Sequence, residues 1–162
     1  MDANFSLAFL KTPRETAVPN ESPLFHSILT PALGLIVWTL IMCVWLYAVR
    51  IPAISKAGID PAAAQEPTSL DALPLKVRQV AYNYNHLMEQ PTLFYALVFY
   101  TYLAGHQEPA NILIAWAYVA LRVVHSLIQA TVNVVMVRFS VFALSTVVLA
   151  ILAVRDVVAL FQ

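Results

Sequence analysis

Charge is scarce along this chain and cysteine is almost missing. Of 162 residues only 11% are charged, against 60% hydrophobic, and the mean hydropathy is +0.74. So little charge excludes an ordinary soluble domain and indicates a protein that lives in a bilayer. Nine basic residues balance nine acidic ones. With no net charge, the chain lacks the basic field that a nucleic-acid or other polyanion partner would need. The one cysteine, Cys43, lies inside an apolar run. It excludes an intrachain disulfide and, with no cation beside it in sequence, reads as a small apolar residue. No internal repeat or low-complexity segment is present. Residues 1–23 hold Pro13, Pro19 and Pro23 and no apolar run long enough for a signal-peptide core. They are expected to form an irregular or interfacial arm, with residues 24–162 as one membrane domain.

A helix needs about 20 mostly apolar residues to cross a bilayer. Four segments meet that requirement, at about 24–50, 75–104, 110–135 and 139–160. Arg50 and Pro52 are expected to end the first, and Gly105 with Pro109 to break the second from the third. The expectation is therefore an all-α integral membrane protein built as a four-transmembrane-helix bundle. Arg50, Lys56, Lys76, Arg78 and Arg138 fall on one side, and Lys11, Arg14 and Arg155 on the other. The positive-inside rule then puts the basic loops in the cytoplasm and both termini outside.

Two spans carry polar stripes. On span 2, Arg78, Asn85 and Glu89 share one helix face; on span 3, Tyr118, Arg122, His125, Gln129 and Asn133 share another. Counting outward from Gln107 brings Glu89 to the depth of Arg122 and His125, and Asn85 to that of Gln129. Arg50, Arg78 and Arg138 are expected to gather at the cytoplasmic mouth. A mid-helix arginine costs roughly 2.5–3.5 kcal/mol to insert, so it is expected to face the bundle with a partner. Helix glue explains such pairs at about 0.6 kcal/mol each, but glue does not require three further arginines at one end. A cationic cleft that takes an anion accounts for more of the pattern. His86 and His125 lack the spacing of a metal site. A proton or ion path through Glu89, Arg122 and His125 is a further alternative.

The segment from Arg78 through Asn85 and Glu89 to Pro91 resembles the second-helix signature of the MAPEG family, the membrane-associated proteins in eicosanoid and glutathione metabolism. That signature runs arginine, arginine, asparagine, glutamate, proline. Arg122, His125 and Arg138 resemble the matching run of the prostaglandin-synthase branch, and the likeness extends over about residues 25–160, as in a divergent, bacterial-type member. The resemblance implies a homotrimer in the lipid bilayer (the inner membrane, for a bacterial source) with glutathione as co-substrate between subunits. It implies a transferase or peroxidase acting on a lipophilic electrophile or lipid hydroperoxide. Arg138 would stabilise the thiolate, while Arg50, Arg78, Asn85, Glu89, Arg122, His125 and Gln129 would hold glutathione and one another. Two positions depart from the pattern: Ala81 replaces the second arginine and Gln129 the third-helix tyrosine. The asparagine also precedes Glu89 by four residues instead of three, and Pro91 follows it by two instead of three. A non-catalytic member, binding another anion or lipid or acting as a scaffold, is the alternative.

Overall fold

The computed structural model describes residues 26–59 and 67–161. The arm expected over residues 1–23 lies outside them, as do Lys11 and Arg14. Among the described residues there are five α-helices, one 3₁₀ segment (Pro67–Ala72) and no strand. The helices are α1 (Leu29–Ala57), α2 (Leu75–Glu89), α3 (Pro91–Leu103), α4 (Pro109–Ala130) and α5 (Val135–Ala159). Three of them, α1, α4 and α5, are long and apolar enough to cross a membrane. The chain is an integral membrane protein.

The expectation that Arg50 and Pro52 end the first helix is corrected: α1 runs through Pro52 to Ala57. An internal proline removes one backbone donor and crowds the carbonyl four residues back. Here it falls in the last two turns, beyond the apolar stretch, where water can satisfy the freed carbonyl. The stop comes at Gly58, which takes φ 63°. Its N–H donates to Ser55 and that of Ile59 to Ile54, the Schellman pattern that a left-handed residue permits.

The second predicted span is divided. Pro91 has no N–H to give back to the preceding turn, so α2 and α3 separate at Gln90. Gln90 itself keeps helical angles, φ −61° and ψ −37°, so the break is a kink with α3 continuing from α2. The Thr92 hydroxyl donates to the Glu89 carbonyl at the joint (2.6 Å). The turn between the third and fourth spans also moves. The third predicted span stops at Ala130, and Asn133, placed on its stripe by periodicity, instead forms the α4–α5 turn at φ 49°. The break at Gly105 and Pro109 stands as expected, with Gly105 at φ 78° and proline opening α4.

Packing follows the heptad-like spacing of α1. Ile28 leads into the helix and, with Ala32, Leu35, Thr39, Met42 and Leu46, forms its buried line. Their spacing of three or four residues keeps them on one face. They meet Leu87 of α2, Phe94 and Val98 of α3, and Ile112, Ala115 and Val119 of α4 in one core. Phe94 stacks on Tyr118 with ring centroids 4.5 Å apart. Gly34 lets α1 approach α4 closely, since a Cβ there would stand 3.1 Å from the Trp116 ring. The outward side chains of α1 and α5, among them Leu33, Leu40, Val44, Val147, Ile151 and Val154, are apolar and exposed, as a lipid-facing surface requires.

Candidate functional site

A polar seam runs between α2 and α4, but not where the charged stripe was expected. Its α2 side consists of Gln79, Asn83, His86 and Gln90, and its α4 side of Arg122, His125, Ser126 and Gln129. Asn83 donates to the Ser126 hydroxyl at 2.6 Å. The His86 and His125 rings stand 5.0 Å apart. Gln90 Oε1 accepts from the Arg122 guanidinium at 3.2 Å and from the Tyr118 hydroxyl at 3.5 Å. Gln90 Nε2 donates to Thr146 of α5 at 2.7 Å. At about 100° per residue, this α2 line lies about 110° round the helix from the line through Arg78, Asn85 and Glu89. The neighbouring face turned inward.

Arg122 is 0% exposed. Besides Gln90, its second terminal nitrogen donates to the His86 backbone carbonyl at 3.3 Å. The guanidinium carbon also sits 5.7 Å above the centre of the Phe142 ring. The expected partnership with Glu89 is not formed: Glu89 pairs with His86 Nδ1 at 3.1 Å, and its side chain is 69% exposed. Asn85 does not meet Gln129 either, being exposed on the outer face. The antiparallel depth match holds to within a turn, with His125 opposite His86 in place of Glu89. Several buried polar atoms along the seam have no hydrogen-bond partner among the described residues: Gln79 Oε1, Asn83 Oδ1, Gln129 Oε1, His125 Nδ1 and Arg122 Nε.

The other cations among the predicted site residues, Arg50, Arg78 and Arg138, stand at the end where α1 finishes and α2 and α5 begin. Arg78 pairs with Asp71 at 3.3 Å. Arg138 is half-buried, its guanidinium donating to Asn133 Oδ1 at 2.7 Å. Arg50 is half-buried on α1. The outer face of α2 thus presents Asn85 and Glu89, with Arg78 toward the end where Arg50 and Arg138 lie.

A second polar cluster at the other end has no counterpart among the predicted site residues. Asp156 of α5 is 2% exposed. It accepts from the Thr101 hydroxyl at 2.6 Å and faces His106 Nδ1 at 2.9 Å. Beside it Arg155 Nε donates to the side-chain amide oxygen Oδ1 of Asn111 and pairs with Glu108 at 3.5 Å. Asn111 in turn donates to the His106 carbonyl and to Glu108. The acid at position 156 was visible in the sequence near the end of an apolar helix, and burial is the usual cost of that placement unless partners are near. That signal could have found the cluster.

Among the described residues no group of three or more His, Cys, Asp or Glu side chains could hold a metal ion. The seam and its flanking face offer amides, imidazoles and guanidiniums, which suit an anionic, hydrogen-bonding ligand. No curated protein and no solved structure matches the chain. The model of the MAPEG family matches residues 28–158, which include both helices of the seam, the kink at Pro91 and Arg138, and on that match the chain belongs to the MAPEG family.

Proposed function

We propose that this protein is a membrane-bound glutathione-dependent transferase or peroxidase acting on a lipophilic electrophile or lipid hydroperoxide. The observation that carries the reading is the exposure of Asn85 and Glu89 on a helix inside a membrane domain. Glu89 stands 14 residues after Leu75, about 21 Å along the axis. A carboxylate left facing lipid at such depth costs roughly 2.5–3.5 kcal/mol. A second protomer covering that face, with a polar ligand between, removes the cost. In this reading α2 and α3 cross the bilayer as one kinked span, giving four spans with both termini on the non-cytoplasmic side, and three protomers assemble.

Glutathione brings two carboxylates, an ammonium group and a thiol. Arg50 and Arg78 hold its carboxylates, Asn85 and Glu89 hold its amide and ammonium groups, and Arg138 stabilises the thiolate. A cation beside a thiol lowers its pKa from the usual value of about 8.5. Arg122, His125 and Gln129 support the site from inside the protomer. The apolar co-substrate enters sideways from the bilayer.

Calorimetric titration of the detergent-purified protein with glutathione tests the reading, and no heat of binding at millimolar concentration refutes it. A second reading, a non-catalytic member that binds another anion or a lipid headgroup, draws support from Ala81 and Gln129, where the family signature has arginine and tyrosine. Arg138→Ala separates the two. Loss of conjugation to a chlorodinitrobenzene-type electrophile, with the oligomer retained, favours the enzyme. Wild-type protein that binds but never conjugates favours the second reading.

A further inference from the structure

His86 takes no part in the ligand contacts above, yet its surroundings are those of a base. It stands one turn before Glu89 on α2, and its Nδ1 lies 3.1 Å from the Glu89 carboxylate. An ionised carboxylate only accepts, so Nδ1 carries the hydrogen and Nε2 keeps its lone pair. The ring lies 5.2 Å from Phe142. Phe142 follows Arg138 by four residues on α5, which puts Arg138 about one turn, roughly 6 Å along the axis, from Phe142. The groups that face His86 are therefore Glu89 from its own helix, Arg122 and His125 from α4, and Arg138 from α5. Its side chain is 26% exposed and touches Glu89, which is 69% exposed on the outer face.

We infer that His86, oriented by Glu89, is the general base that takes the thiol proton of bound glutathione; the inference rests on the glutathione reading above. The S–H bond breaks, the proton passes to Nε2, and the electron pair stays on sulfur beside Arg138. The imidazolium is held by the Glu89 carboxylate across Nδ1–H. The thiolate then forms the C–S bond with the electrophile, whose leaving group departs with its own electron pair. The imidazolium returns its proton to water at the basic end of the bundle. Glu89 so becomes a positioning residue for the base as well as a ligand contact, which explains a carboxylate held next to a histidine and away from the nearby Arg122.

The test is the pH profile of kcat/KM for conjugation of a chlorodinitrobenzene-type electrophile by the full-length protein in detergent, with glutathione affinity measured in parallel by calorimetry. His86→Gln is expected to lower kcat/KM at neutral pH roughly 100-fold, as loss of a general base does. Its acid limb moves up toward the free thiol value of about 8.5, while glutathione still binds. Glu89→Gln, at an exposed position that does not threaten folding, is expected to lower kcat at saturating glutathione roughly tenfold and to move the limb the same way. The Arg122 bond reaches the His86 backbone carbonyl, so the helix contact survives both substitutions. Bound glutathione with a wild-type profile in either variant overturns the inference alone. Failure of the wild-type protein to bind glutathione overturns the underlying reading and the inference with it.

Discussion

Replacing Gln90 by leucine asks how the buried guanidinium of Arg122 is held. Gln90 Oε1 lies 3.2 Å from one Arg122 nitrogen, and among the described residues the only other hydrogen bond of the group is to the His86 carbonyl at 3.3 Å. Arg122 is 0% exposed, and among the described residues no carboxylate forms an ion pair with it. Loss of a hydrogen bond to a charged group costs about 1.5–3 kcal/mol. The Tyr118 contact at 3.5 Å is too long to add much, and the exposed Thr146 contact adds about 0.5 kcal/mol or less. The sum is about 2–3.5 kcal/mol. If the seam were only generic helix glue, the same substitution would cost about 0.6 kcal/mol. The two values are far enough apart to decide. The measurement is reversible unfolding in mixed micelles of the wild type, Gln90→Leu, Arg122→Met and the double variant. The double variant is expected to be at least 1 kcal/mol more stable than the sum of the single losses, because it removes the stranded charge. A Gln90→Leu loss below about 0.6 kcal/mol, or strict additivity in the cycle, refutes the reasoning.

Three further substitutions, at two positions, probe the frame that holds the site. Gly34→Val adds a Cβ, which alone would stand 3.1 Å from the Trp116 ring, and two methyl groups beyond it; overpacking should cost about 1–3 kcal/mol, read as a fall in the detergent unfolding midpoint. Gly34→Ala sets a helix-propensity gain of about 1 kcal/mol against a milder clash and should leave stability close to wild type. Asp156→Leu removes the acceptor for Thr101 and the partner of His106, and should cost about 2–4 kcal/mol by leaving buried polar groups unpaired. The same thermal assay measures it, and a stability equal to wild type would show that the cluster is not structural.

Periodicity and hydropathy made most of the fold legible. The α1, α4 and α5 helices, the break at Gly105 and Pro109, and the antiparallel pairing that brings α2 beside α4 all follow from apolar run length and turn residues. The errors have one physical source each. Pro52 was expected to stop a helix, but in the last two turns of α1 the lost donor and the clash of its ring with the carbonyl four residues back disturb only a short end segment. Pro91 was expected to lie within a span, but there the missing donor falls mid-helix and divides it. Charged residues were expected to mark the inward face of α2. Gln79, Asn83, His86 and Gln90 repeat with the same spacing, and burying neutral amides costs less than burying Arg78 and Glu89. Period alone could not choose between the two faces; the desolvation cost could have.

That cost also separates two kinds of polar residue in this bundle. Arg122 spends its terminal nitrogens on Gln90 and on the backbone of α2, and Asn83 spends its amide on Ser126. Such groups fix how α4 lies against the kinked α2–α3 unit. Asn85 and Glu89 face outward, and Arg138, held by Asn133 of the preceding turn, is half-buried at the start of α5. A ligand on that face would meet charges whose supports belong to a different and buried set of residues. Interior substitutions should therefore act mainly on stability, and outer-face substitutions mainly on binding. His86 is the exception, because its carbonyl belongs to the interior set and its imidazole to the outer one. A His86→Gln variant that keeps the wild-type unfolding midpoint yet loses turnover would place the boundary between frame and chemistry inside that single residue.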